Sequence, residues 1–207
     1  MTNVLVLSPH PDDETLGCGG TLRRHIVEGD RVRVLFLTAG EAGGHGADPK
    51  ETGKLRLREA ADAMAILGVT SWECWGGPDG QLRATRPLVE RLRRTLTSWN
   101  PDVVYVPHGR EGHPDHRAAS RMLLRAVDSR GTSARVLGFE VWTPVQKLDH
   151  IVDVSDVIET KMAALRCYRS QNQFMDFEEA SRGLARYRGA MHSWPGGPFA
   201  EVFCNVN

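Results

Sequence analysis

His10, Asp12, Asp13 and Glu14 fall within five positions, inside the segment Ser8-Pro9-His10-Pro11-Asp12-Asp13-Glu14-Thr15. A second dense group, His113-Pro114-Asp115-His116, lies in the other half of the chain. Each group directly follows an apolar run, Val4-Leu5-Val6-Leu7 in one case and Val103-Val104-Tyr105-Val106 in the other. Acids and imidazoles gathered at the ends of buried strands are costly without a partner, and a divalent metal is the partner that best explains them. His10 and Asp13 are three residues apart across a turn entering a helix, so both can reach one ion. His113 and His116 have the i, i+3 spacing that puts side chains on one face of a helix start. Pro114 fits the first turn of that helix, where its missing donor matters least.

Two imidazoles and one carboxylate suit zinc and leave a coordination position open. Asp12 and Asp13 are adjacent and must point in different directions, so one can bind the metal while the other approaches its water. That division suits hydrolysis, because a metal lowers the pKa of water from 15.7 to about 7 and a carboxylate can take the proton. The same donor set also describes the facial triad of non-haem iron(II) redox enzymes. Those ligands usually sit on a β-rich scaffold, and the paired acids have no evident purpose there.

The elements that must position these residues alternate. Strands are expected over residues 3–8, 31–38, 70–75, 103–107, 135–142, 150–154 and 200–206. Helices are expected over 15–28, 54–67, 87–99, from 114 to about 127, 156–170 and 176–190. Such alternation predicts an α/β fold, a Rossmann-like three-layer sandwich with a mostly parallel sheet. Ligands in these folds bind beyond the C-terminal strand ends, where both histidine groups fall. The longest expected loop, 39–53, is glycine-rich and follows the second strand; with the segment 142–150 it is expected to shape the cleft rim.

The 207 residues fit a single domain spanning 1–207. Basic and acidic side chains balance at 26 each, which gives no bulk field towards nucleic acid or anionic lipid. Cys18, Cys74, Cys167 and Cys204 include no C-x-x-C pair, so a disulfide framework is not expected and a reducing cytoplasm is the natural compartment. No apolar stretch approaches the roughly 20 residues of a membrane span. Gly17-Cys18-Gly19-Gly20 lacks the full dinucleotide fingerprint because position 22 is Leu.

The two histidine motifs resemble the PIG-L/LmbE family of zinc-dependent N-acetylglucosaminyl deacetylases. Further matches are Gly17-Cys18-Gly19-Gly20-Thr21, Arg56-x-x-Glu59 before Leu67-Gly68-Val69, Pro78-Asp79-Gly80, and Lys161 to Ser170-Gln171. They occur in family order across most of the chain. The resemblance implies an LmbE-like fold and residue roles. His10, Asp13 and His116 look like ligands of Zn2+, with Fe2+ or another divalent transition metal as the alternative, and Asp12 looks like the general base. His113 looks like the group that stabilises the oxyanion or protonates the leaving amine, with Asp115 orienting its ring. Arg56 and Asp79 match positions that hold sugar hydroxyls.

The implied substrate is a small N-acylated amino sugar, with no nucleic-acid or membrane partner and with a homo-oligomer compatible with the family. A non-catalytic, metal-containing sugar-binding protein is the remaining class; it would not require Asp12 or His113. Two plainer readings stand beside the sugar contacts. Arg56 and Glu59 have the spacing of a surface ion pair, and Asp79 in Pro-Asp-Gly is a turn former.

Overall fold

A computed structural model describes residues 1–127, 134–192 and 195–206. Seven strands form one sheet: β1 (Asn3–Ser8), β2 (Arg31–Thr38), β3 (Ser71–Gly77), β4 (Val103–Pro107), β5 (Arg135–Phe139), β6 (His150–Asp153) and β7 (Ala200–Asn205). Their order is β3-β2-β1-β4-β5-β7-β6. The first five are parallel, and β7 runs antiparallel to both β5 and β6. The chain winds outwards from β1 to β3 and then returns to place β4 on the other side of β1. This reversal leaves a crevice beyond the C-terminal ends of β1 and β4, the usual ligand position in such sheets.

The helices are α1 (Asp13–Val27), α2 (Pro49–Leu67), α3 (Arg86–Trp99), α4 (Pro114–Val127), α5 (Ile158–Leu165), α6 (Arg169–Asn172) and α7 (Phe177–His192). Alternate residues of a strand face opposite layers. Val4 and Val6 therefore pack with Leu22, Ala60 and Met64 of α1 and α2, whereas Leu5 and Leu7 pack with Leu92 and Met122 of α3 and α4. Because both faces of the central strands are covered, they read as continuous apolar runs.

Three features differ from the sequence expectation, besides shifts of one to three residues at other ends, such as β5, which stops at Phe139 and not at 142. α2 begins at Pro49, not residue 54, because Asp48 accepts the Glu51 N–H at 2.9 Å and Pro49 fills the first turn. The glycine-rich loop is correspondingly shortened to 39–48. The single helix expected over 156–170 is instead a 3₁₀ turn (Ser155–Val157), then α5, then the short α6. The last strand is antiparallel, which a period-two pattern cannot reveal.

Helix α1 carries a kink at Cys18, whose φ is −147°. The backbone groups freed there find buried partners. Glu201 on β7 accepts from the N–H groups of Gly20 at 2.9 Å and Thr21 at 2.7 Å. Lys161 on α5 donates to the Leu16 carbonyl at 2.8 Å and to Glu201 at 2.7 Å. Gly17 is required by packing, since a Cβ there would lie 2.1 Å from the Phe139 ring. Removing the lysine would leave Glu201 buried with its charge uncompensated. Lys161→Met is expected to lower unfolding stability by about 3–5 kcal/mol. The double change Lys161→Met with Glu201→Gln should recover part of the loss, as read by denaturant titration.

Candidate metal centre and active site

Beyond β1 the chain turns sharply through His10-Pro11-Asp12. Asp12 adopts a φ of 128°, a conformation that costs a non-glycine residue on the order of 1–3 kcal/mol unless its surroundings enforce it. Arg56 supplies much of that enforcement. Its Nη2 donates to the Pro11 carbonyl and to Asp12 Oδ2, both at 2.8 Å, and its Nη1 to the Gly40 carbonyl at 2.9 Å. From the other side the Asp12 N–H donates to Glu14 Oε2 at 3.1 Å. Glu14 is itself wholly buried and accepts from the hydroxyls of Thr15 and Tyr168.

The turn delivers Asp13 to the first position of α1, where a carboxylate also complements the helix dipole. Asp13 Oδ2 lies 3.0 Å from His10 Nδ1 and 3.1 Å from His116 Nε2. His116 comes from the first turn of α4, just beyond β4, so the two neighbouring strands converge on this oxygen. The outer nitrogen of each imidazole faces another carboxylate. His10 Nε2 is 3.0 Å from Asp79 and 3.4 Å from Asp115, and His116 Nδ1 is 3.4 Å from Glu111. Imidazoles backed by carboxylates, with their inner nitrogens meeting at one point, are the usual surroundings of metal-binding histidines. His116 is wholly buried, yet neither ring nitrogen makes a well-aligned hydrogen bond. A cation held by His10 Nδ1, Asp13 and His116 Nε2 would give that ring the partner it lacks.

His113 stands beside this group, its ring centre 4.7 Å from that of His10 and 4.9 Å from that of His116. It is half-buried. The Asp115 N–H donates to His113 Nδ1 at 3.2 Å. An Nδ1 that accepts must carry a lone pair, so in the neutral ring the proton sits on Nε2. Burial and the charges of His10 and His116 lower the His113 pKa and favour that neutral form. His113 thus presents one hydrogen-bond donor.

A protein-family profile for PIG-L, the GlcNAc-PI de-N-acetylases, matches residues 5–127. The chain belongs to this family. The diacetylchitobiose deacetylase of Thermococcus kodakarensis is 31% identical, over 91% of this chain and 78% of its own length. A 1D-myo-inositol 2-acetamido-2-deoxy-alpha-D-glucopyranoside deacetylase of Mycobacterium sp. is 30% identical, over 81% of this chain and 73% of its own. Among solved structures, the N,N'-diacetylchitobiose deacetylase of Pyrococcus horikoshii superposes with a TM-score of 0.85 at 26% identity, covering 97% of this chain and 82% of that one. A 4-carboxy-2-hydroxymuconate hydratase of Pseudomonas superposes equally well, with a TM-score of 0.88 at 24% identity and coverage of 100% and 97%. At that identity the likeness shows the fold alone. The site's own chemistry must therefore carry the argument about the reaction.

For this PIG-L family member, the residues singled out in the sequence do converge, but Asp115, Arg56 and Asp79 make contacts that the sequence does not reveal. Asp115 does not orient the His113 ring with its carboxylate; only its backbone N–H touches that ring. Its carboxylate instead accepts from the N–H groups of Gly80 at 2.7 Å and Leu82 at 3.1 Å and faces His10. Arg56 and Glu59 do not form a surface ion pair, since both are buried. Arg56 spends its guanidinium on the Asp12 turn, while Glu59 accepts from the backbone and hydroxyl of Ser170. Asp79 is more than a turn former: Oδ1 faces His10, and Oδ2 accepts from the Ala42 N–H at 2.8 Å.

Glu111 had no assigned role in the sequence reading. It is buried and accepts from the N–H groups of Val141, Trp142 and Thr143 while facing His116. An acid two residues before His113 was the available signal. Another acidic group, His25, Glu28 and Asp30, lies near the opposite end of the sheet. His25 is satisfied there by Asp30 at 2.8 Å and the Tyr105 hydroxyl at 3.0 Å.

Charge at the centre is strongly coupled. Burial alone would raise Asp13, but the charges and hydrogen bonds of His116 and His10 hold it far below the usual carboxylate range. Burial would likewise lower both imidazoles, but Asp13 reverses this, raising His116 to about 9 and His10 well above its ordinary value. In the metal-free chain His116 therefore stabilises the fold fully below about pH 6.5, the ordinary imidazole value, and loses that contribution as pH rises towards about 9, and His10 acts in the same direction. A divalent cation would displace two ring protons, conserving charge. Zinc titrated into chelator-stripped protein at pH 7 is expected to release about two protons per ion from the rings and a further fraction from Asp12, as measured by calorimetry in buffers of differing ionisation enthalpy.

Proposed function

We propose that this protein is a zinc-dependent hydrolase that removes the N-acetyl group, or a similarly small N-acyl group, from an N-acetylglucosamine unit of a small conjugate. The observation that carries the reading is the meeting of His10 Nδ1 and His116 Nε2 at Asp13 Oδ2, with Asp12 on a strained turn beside it. His10, Asp13 and His116 would hold the ion, which when bound supplies Lewis acidity towards the amide carbonyl and towards water. Family membership and the deacetylases among its relatives support the same class of substrate.

Asp12 is the general base. Burial, opposed by the Arg56 guanidinium and aided by the Asp13 charge, pushes its pKa up to about 7. A carboxyl poised near neutrality can take a proton from the attacking water and return it to the departing amine nitrogen. Arg56 fixes the carboxylate through Oδ2, which leaves Oδ1 for the proton. His113 Nε2–H donates to the carbonyl oxygen as it gains negative charge. The balance is one C–O bond formed, one C–N bond broken, and one proton carried from water to nitrogen. Arg56 acts on the substrate through Asp12, and Asp79 and Asp115 act by holding the His10 ring.

Metal analysis followed by an amine-release assay on N-acetylglucosamine, diacetylchitobiose and an N-acetylglucosaminyl inositol tests the reading. Zinc-loaded protein that releases acetate from none of them would overturn it. Asp12→Asn is expected to retain one metal ion per chain while turnover falls by about 10²–10⁴-fold. Unchanged turnover would remove Asp12 as the base. The pH profile of kcat/KM should lose activity on its acid side as Asp12 is protonated. The midpoint should lie at or below pH 7, because a bound cation draws the carboxyl lower than in the metal-free chain.

A further inference from the structure

A cavity of about 360 Å³ opens between α1, α7 and the ends of β5 and β7, within the size range of small-molecule sites. Its walls are mainly apolar, with Leu16, Val141, Trp142, Phe177 and Leu184 among them. Both sides of the cavity are tied to the candidate active site. The Leu16 N–H donates to the Asp12 carbonyl at 2.8 Å. Across from it, the Val141 and Trp142 N–H groups are held by Glu111, which faces His116. At the mouth, Trp142 and Met175 remain 49% and 39% exposed.

The polar groups in the cavity differ in what they still need. Lys161 and Glu201 satisfy each other and the α1 kink, so they ask nothing of a ligand. Ser181 is different: it is 7% exposed, lines the cavity, and its hydroxyl has no hydrogen-bond partner among the described residues. A buried hydroxyl left unpaired inside an apolar pocket is rare in folded proteins. It fits an occupant that is apolar along its length and carries an acceptor or donor at one point.

We propose that this cavity is a subsite for an aliphatic chain carried by the amino-sugar substrate, an inference that rests on the deacetylase reading. The chain would reach it from a sugar whose amide lies at the ion that His10, Asp13 and His116 would hold, along the wall formed by Val141 and Trp142. Two attachments present the same chemistry, the N-acyl group and the aglycone. Two substrate series separate them: alkyl β-glycosides of N-acetylglucosamine from methyl to octyl, and N-acyl glucosamines from acetyl to octanoyl.

In the series whose chain enters the cavity, kcat/KM should rise by about three- to fourfold per buried methylene. Ala180→Trp, on the exposed face of α7 at the cavity, should flatten that rise. Release of carboxylate from the short substrates with no dependence on length in either series would overturn the subsite and leave the deacetylase reading intact. A steep dependence untouched by Ala180→Trp would also overturn it, by placing the chain elsewhere. No release from any member would overturn the deacetylase reading. The subsite would then stand or fall on calorimetry of the octyl and methyl glycosides with zinc-loaded Asp12→Asn. Tighter binding of the octyl form, lost on adding Ala180→Trp, supports the cavity, and equal binding of the two overturns it.

Discussion

Asp13 holds a carboxylate out of water with an imidazole on either side, and much of the surrounding structure follows from the cost of that arrangement. Each buried ion carries an effective penalty of several kcal/mol, which opposite charge offsets only if the geometry is maintained. The geometry is maintained from outside. Asp79 and Asp115 back His10, Glu111 backs His116, and each of these acids is itself held by backbone N–H groups. Those donors come from the loops after β2, β3 and β5. A group of side chains at two strand ends thereby fixes three loops, and the loops in turn fix the side chains.

The strain at Asp12 is the second consequence. A turn tight enough to aim Asp13 at both histidines forces its neighbour to positive φ, and the same rotation turns the Asp12 side chain towards Arg56. The side chains of Asp12 and Asp13 therefore diverge from adjacent positions because the backbone between them is held in an unfavourable shape. The buried Glu14, accepting from the Asp12 N–H and from the Tyr168 hydroxyl, carries that restraint into the last third of the chain. Ser170 and Gln171 add to it, the one through Glu59 and the other through the Gly43 carbonyl. The short segment from Lys161 to Gln171 thus braces the kink of α1, the Asp12 turn and the glycine-rich loop together.

Much of the fold was legible because parallel strands buried on both faces are continuous apolar runs, and β1 and β4 begin and end within one residue of those runs. The start of α2 was not legible from apolar periodicity, since its first turn is polar and is set by the Asp48 cap. Convergence of the two histidine groups at the ends of β1 and β4 could be anticipated from residue type and strand position, whereas the choice of His116 over His113 as the partner of Asp13 followed only from the family resemblance. The tasks of Asp115 and Arg56 could not be anticipated, because both belong to contacts between loops that are distant in sequence.

The sequence by itself determined the alternation of elements, the gathering of histidines and acids at the ends of β1 and β4, and the adjacency of Asp12 and Asp13. These are local properties: apolar period, turn chemistry and side-chain type. Tertiary structure alone decided which nitrogen of each histidine faces Asp13, which acid backs which ring, and that His113 carries its proton on Nε2. It also decided that β5, α1 and α7 leave a cavity between them. Each of these depends on distances between segments far apart in the chain, and such distances are set only when the layers pack.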